Sequence, residues 1–251
     1  MEQKEIEYLT LDPKVEYVKI FGLQRSGTNY LSHLLNENFE NTQALVNVGG
    51  WKHGFYAAPW ILGKEVHCMG ITKSPYAWLV SMYNYWGPNR KANIGPDLRG
   101  VSFESFVKNR VLFERQRDIP YLFRCENPVQ HWNDMNFHWL SIRLNSKKLC
   151  MITYETLLQD VSAGIKNIGE ILGLKRKSEE VVSSEKRFVP AGEEMRTSDE
   201  EFSQKDYYLK GGFLKHYTPE LLDFVNGELD LDLMIHFGYN ILTPDQMKGV
   251  L

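Results

Sequence analysis

Along this chain, short continuous apolar runs alternate with longer stretches whose apolar positions recur at helical spacing. Val15 to Phe21 reads as a first buried strand, and Asn29 to Asn38 as a helix with Leu31, Leu34 and Leu35 on one face. Ala44 to Val48 is a candidate second strand running into Gly49 and Gly50. Val66 to Thr72 is a third, and Pro75 is placed to open a helix through Tyr85. Lys148 to Tyr154 reads as a further strand, and Asp160 to Leu172 as a helix stopped by Gly173. Strands alternating with helices predict an α/β fold, with a central parallel sheet flanked by helices on both faces. Two stretches break the rhythm. Gly87 to Gly100 is rich in Gly, Pro and Asn, and Lys175 to Lys205 is dominated by Ser, Glu, Lys and Arg. Both are expected as surface connectors or substrate-side lids.

Composition narrows the class. The chain has 251 residues and 43% hydrophobic content, enough for one well-buried α/β domain over 1–251, with insertions at about 87–128 and 175–205. A net charge of -3 argues against a duplex nucleic-acid partner, which would require a basic face. Cys68, Cys125 and Cys150 are odd in number and far apart, so neither a disulfide framework nor a C-x-x-C metal knuckle is expected. The N-terminal MEQKEIEYLTLDPK has no apolar core of a signal peptide, and no apolar run is long enough to span a bilayer. The expectation is a cytoplasmic protein without a membrane span.

The richest candidate chemistry lies where the first strand breaks at Gly22 and a helix begins, in GLQRSGTNYL. Gly22 and Gly27 let the backbone curl, so that amides from Ser26 to Asn29 face into the turn at the positive end of a helix dipole. A phosphate or sulfonate suits that place. A nucleotide P-loop would carry Lys after its second Gly, but here Thr28 follows Gly27 and the cation comes earlier, at Arg25, between Gln24 and Ser26. The pattern favours a transferable anionic group without an obligatory metal over a triphosphate with Mg²⁺. A second motif is Lys73-Ser74-Pro75 followed by Ser81. Eight residues separate Lys73 from Ser81, about two helical turns, so a phosphate clasped between strand end and helix would meet both side chains.

Together, G22-x-Q-R-S-G-T-N-Y-L31 and K73-x-P-x5-S81 resemble the sulfotransferases that use 3'-phosphoadenosine 5'-phosphosulfate. The segment M151-I-T-Y-E-T-L-L158 is similar to that family's strand followed by YE(D)-L-L, and 207-YYLKGGFLKHYTPE-220 with Phe237-Gly238-Tyr239 to its C-terminal end. The resemblance implies a P-loop NTPase-like sulfotransferase fold, with the phosphosulfate donor as cofactor, its bisphosphate product and no metal. It implies that Gln24, Arg25, Ser26, Gly27, Thr28 and Asn29 hold the 5' side, and that Lys73 and Ser81 hold the 3'-phosphate. Lys210 and Gly211 stand near a basic-Gly pair that contacts the same phosphate in some members. Arg25, where many soluble members have Lys, points to a bacterial or carbohydrate-type branch rather than the cytosolic phenol type. The acceptor would be a small molecule or carbohydrate bearing a hydroxyl or amine, bound by loops at about 87–100, 111–128 and 175–205.

In-line sulfonate transfer needs a base for the acceptor and cations for the leaving oxygens. His53, in GGWKHGF, is the candidate base, with Lys52 beside it to orient the acceptor or stabilise the sulfonate; Glu155 is the rival base. His33 and His67 are expected to pack or lie on the surface. His131 and His138 share a helical face beside Trp132 and Trp139 and are expected to line the core. Trp51, Phe55, Tyr56, Trp60, Tyr83, Tyr85 and Trp86 lie near the candidate edge and are able to stack a ring, although Tyr76, Leu79, Val80 and Tyr83 have core spacing. Two other classes fit part of the pattern: a P-loop kinase-like phosphotransferase and a non-catalytic nucleotide-binding module.

Overall fold

The computed structural model describes residues 11–45, 51–54, 65–86, 100–109, 111–113, 123–141, 148–183 and 203–247. The expected aromatics at 55–60, the end of the second strand at 46–48, the Gly pair at 49–50 and most of the loops at 87–100, 111–128 and 175–205 lie outside them. The strands are β1 (Glu16–Phe21), β2 (Thr42–Leu45), β3 (Val66–Thr72), β4 (Val111–Phe113), β5 (Phe123–Cys125) and β6 (Leu149–Thr153). The helices are α1 (Thr28–Asn38), α2 (Pro75–Trp86), α3 (Phe103–Lys108), α4 (Pro128–Ser141), α5 (Tyr154–Gln159) and α6 (Val161–Leu172). They are followed by α7 (Ser203–Leu209), α8 (Pro219–Glu228), α9 (Leu231–His236) and α10 (Pro244–Met247).

A four-stranded, all-parallel sheet runs in the order β2-β1-β3-β6, and β4 pairs with β5 in a separate antiparallel ribbon. All seven residues of β3 are buried, as a strand covered on both faces requires. Alternate residues of β1 serve opposite faces. Val18 and Ile20 join Leu31, Leu34 and Leu35 of α1 and Ile165, Ile168 and Leu172 of α6. Phe21, with Cys68 of β3, joins a larger cluster that includes Trp78 of α2, Trp132 and Trp139 of α4 and Leu221 of α8. Each fully buried aliphatic side chain in these clusters contributes about 1.5–3 kcal/mol of transfer free energy.

The α/β architecture matches the expectation, and its core boundaries follow local chemistry. Asp160 is extended and caps α6 through the Ala163 amide, while Gly173 at φ 73° ends it. Short α5 was not expected, because Thr153 caps the Thr156 amide and starts a helix directly at the strand end. Helices α8 to α10 were likewise unread; each is too short for periodicity to separate it from turn structure. His131 and Trp132 are buried as expected, and the three cysteines are free thiols, Cys150 only half-buried. Among the described residues no helix is long and apolar enough to cross a membrane.

Candidate active site

The chain leaves β1 towards β2 on one side and then crosses back to β3 on the other, so β1 and β3 meet at a switch in strand order. Open parallel sheets bind ligands in the crevice outside the carboxyl ends of strands at such a switch. The two motif loops leave from these two strand ends, Gly22 after Phe21 and Lys73 after Thr72. Gly22 passes so close to the Ile71 carbonyl that a Cβ would collide with it. Gly27 has φ 103° and a Cβ there would stand 2.5 Å from the Tyr154 ring. Arg25 also takes a left-handed conformation, φ 66°, a cost of order 1–3 kcal/mol that persists only where surroundings impose it.

The loop is braced from within and from the opposite layer. Ser26 donates its amide and its Oγ to the Leu23 carbonyl, at 3.1 and 2.7 Å. Ser26 therefore holds the turn itself, and the ligand donors left to the loop begin at Gly27. Helix α1 starts at Thr28 with no side-chain cap, so its first-turn amides retain the anion-binding capacity of a helix N-terminus. The Trp78 indole donates to the Gln24 carbonyl at 2.8 Å, fixing the loop to α2. The Arg25 guanidinium lies 5.1 Å from the Tyr85 ring centre, and Gln24 Oε1 is buried with no hydrogen-bond partner among the described residues.

Residues 51–54 close one side of this loop. Gly22 donates its amide to the Lys52 carbonyl at 3.0 Å, and its own carbonyl accepts from His53 Nδ1 at 2.6 Å. A carbonyl only accepts, so Nδ1 carries the proton and Nε2 presents its lone pair. Burial, and then the Lys52 charge, hold the imidazolium pKa down at about 3, against the Gly22 bond. The Trp51 ring meets His53 edge-on at 5.0 Å. Lys52 Nζ donates to Asn29 Oδ1, which ties this segment to α1, and burial lowers the ammonium to about 8. Lys19, fully buried in β1, is lowered to about 7, chiefly by burial and further by Lys52, with Cys68 opposing.

The second motif is held just as closely. The Trp132 indole donates to the Lys73 carbonyl at 2.9 Å. Glu155 accepts the Ser74 amide on one oxygen at 3.0 Å and the Tyr239 hydroxyl on the other at 2.8 Å. With both oxygens engaged, Glu155 positions the start of α2. Lys73 Nζ lies 4.0 Å from the Tyr154 ring centre and 4.1 Å from that of Tyr208. Burial pushes the Tyr208 phenol up, but the Lys73 charge over its ring brings it below its ordinary value. Burial lowers the Lys73 pKa, while Tyr208 and Glu155 oppose it.

Lys210 takes a different direction. Its exposed ammonium pairs with Asp206 at 2.6 Å, and Gly211 serves as the left-handed start of the 3-10 turn Gly212–His216. From that segment it is Tyr208 that reaches the second motif. Tyr208 and Tyr154 both lie in the stretches quoted for the resemblance, but nothing local distinguishes them from core aromatics. Lys19 carried a readable signal, a lysine amid the apolar run VKIF. Lys19, Arg25, Lys52 and Lys73 come from 17–36, 41–64 and 66–96, three segments without a single Asp or Glu in a chain of net charge -3. No protein-family model matches the chain, and none of the curated proteins compared with it matches either.

Proposed function

We propose that this chain is a sulfotransferase that moves a sulfonate from 3'-phosphoadenosine 5'-phosphosulfate to a hydroxyl or amine, and that its fold is of the P-loop-like sulfotransferase kind. The observation that carries the reading is the meeting of both motif loops at the ends of adjacent strands, with cations on each and a histidine lone pair beside them. The residues fit the donor. The uncapped first turn of α1, Arg25 and Lys52 suit a phosphosulfate, and the buried, unpartnered Oε1 of Gln24 suits a ligand donor group. Lys73 just beyond the end of β3 and Ser81 about two turns along α2 suit a further phosphate.

When bound, the donor supplies an activated sulfonate that passes to the acceptor with loss of adenosine 3',5'-bisphosphate. His53 takes the acceptor proton on Nε2 while Nδ1 stays bonded to Gly22, which fixes the ring and its tautomer. Burial is the largest cause of an imidazolium pKa near 3, which makes a weak base, and the Lys52, Lys19 and Arg25 charges that add to it are those an anionic donor would neutralise. The charge part of the lowering is thereby relieved as the anion binds. Arg25 and Lys52 stabilise the charge that develops on the leaving oxygen, which the water-poor surroundings amplify. The protein needs no covalent intermediate for this, and the acceptor proton has a defined destination.

The test is calorimetric titration with adenosine 3',5'-bisphosphate, AMP, and ATP with Mg²⁺, on wild type and Lys73→Ala. Selective binding of the bisphosphate, weakened at least tenfold in the variant, is the expected result. Preference for ATP with Mg²⁺, or no nucleotide binding, would refute the proposal.

A further inference from the structure

The peptide bond between Lys73 and Ser74 is gripped at both of its polar ends. Its carbonyl accepts from the Trp132 indole at 2.9 Å, and its N–H donates to Glu155 Oε1 at 3.0 Å. A flip of this peptide would take both groups from their partners at once. Pro75 follows without an N–H, so the Ser74 amide is the last donor before α2. Both grips lead to one residue. The Tyr239 hydroxyl donates to the second oxygen of Glu155 at 2.8 Å, and the Tyr239 ring centre lies 6.3 Å from that of Trp132. Tyr239 is itself anchored at the end of α9, where Gly238 turns at φ 71° and the Tyr239 amide donates to the Met234 carbonyl at 2.8 Å. Further along, Leu242 donates its amide to the Tyr76 hydroxyl at 3.2 Å, and that hydroxyl donates to Asn226 at 2.6 Å. Residues 239–242 therefore form a strap that meets both grips and the first turn of α2.

We propose that Tyr239 is a positioning residue for the anion site at Lys73: through Trp132 and Glu155 it holds the Lys73–Ser74 peptide in one orientation, and with it the direction in which the ammonium is presented. The inference rests on reading Lys73 and Ser81 as an anion site, but not on the anion belonging to an adenosine nucleotide. The hydroxyl is the link that matters. A carboxylate with one oxygen unengaged turns more freely about its last torsion, and the Ser74 amide then loses a fixed acceptor. The ring acts separately, by packing against Trp132, and a phenylalanine would preserve that contact. The consequence is preorganisation. A loop already held as its ligand needs it binds without a further ordering cost, and the benefit falls on the group that meets Lys73 rather than on a phosphate at the first loop.

The experiment compares wild type with Tyr239→Phe, which keeps the ring and removes the hydroxyl. Backbone amide exchange is followed by NMR, and both proteins are titrated calorimetrically with adenosine 3',5'-bisphosphate, AMP and inorganic pyrophosphate. In the variant the Ser74 amide is expected to exchange about tenfold faster while the amides of β1 keep their wild-type rates. Bisphosphate affinity is expected to fall about tenfold and AMP affinity to stay within about twofold. A strap that served stability alone would speed exchange in β1 and weaken both nucleotides alike, and that outcome overturns the proposal. So does an unchanged Ser74 rate, an unchanged affinity for every probe, or no binding of any probe. Faster Ser74 exchange with weaker pyrophosphate binding, in a protein that does not prefer the bisphosphate to AMP, supports the positioning role and overturns the nucleotide reading.

Discussion

Lys19 stands in the middle of a buried strand, where its ammonium is disfavoured by burial and by Lys52. Its folded pKa near 7 lies below the ordinary 10.5, so between those values the unfolded chain binds a proton that the native one resists. This group therefore costs progressively more stability as pH falls from about 10.5 to about 7. Lys19→Met is expected to raise unfolding free energy at pH 7 by roughly 2 kcal/mol, with a smaller gain at pH 9.5; denaturant titration at both values checks the sign. An increase in stability accompanied by weaker anion binding would identify the lysine as a functional burden on the strand. His53 makes the complementary case. His53→Ala should lower kcat by about 10²–10⁴-fold while leaving bisphosphate affinity within a few-fold of wild type, because its bond is to Gly22 and its proposed role is to accept a proton. Unchanged kcat would remove it from the mechanism.

At the scale of elements, the site is fixed by contacts between layers. Two tryptophans of the same apolar cluster each donate to a carbonyl of one loop, Trp78 to Gln24 and Trp132 to Lys73. Trp132→Phe leaves the Lys73 carbonyl buried without that donor and is expected to cost about 1–3 kcal/mol. Bisphosphate affinity should fall at the same time, measurable by calorimetry; a loss of stability with full affinity would mean that the indole serves packing alone. The strands and helices that carry the loops were legible from local pattern: β1 and β3 as buried apolar runs, β6 as an apolar run that is half-buried, and α6 between Asp160 and Gly173. Helix α5 was not, since its start depends on a cap at a strand end rather than on a long periodic stripe.

For the whole molecule, acid sensitivity follows from two histidines, His131 buried and His53 half-buried. Burial holds both His53 and His131 at about 3, against an ordinary 6.5. Between those values the unfolded chain takes up protons that the native chain refuses, so stability should fall as pH drops from about 6.5 towards 3. His131→Phe, in the tryptophan-lined core beside Trp78, should flatten that dependence, checked by urea midpoints from pH 7 to 4.5; an unchanged slope would show that His131 does not titrate in this window. The sequence by itself determined the α/β class, the main strand boundaries, and the positions of the GLQRSGTN turn and of Lys73 just beyond the ends of β1 and β3. These are local properties: periodicity states which face is buried, and Gly, Pro and cap residues state where the chain turns. Only the tertiary structure decided that β1 and β3 are neighbours, that Glu155 braces Ser74, that His53 is protonated on Nδ1, and that Tyr208 rather than Lys210 reaches Lys73. Those facts depend on strand order and on contacts between segments far apart in the chain, and no local pattern of hydrophobicity encodes them.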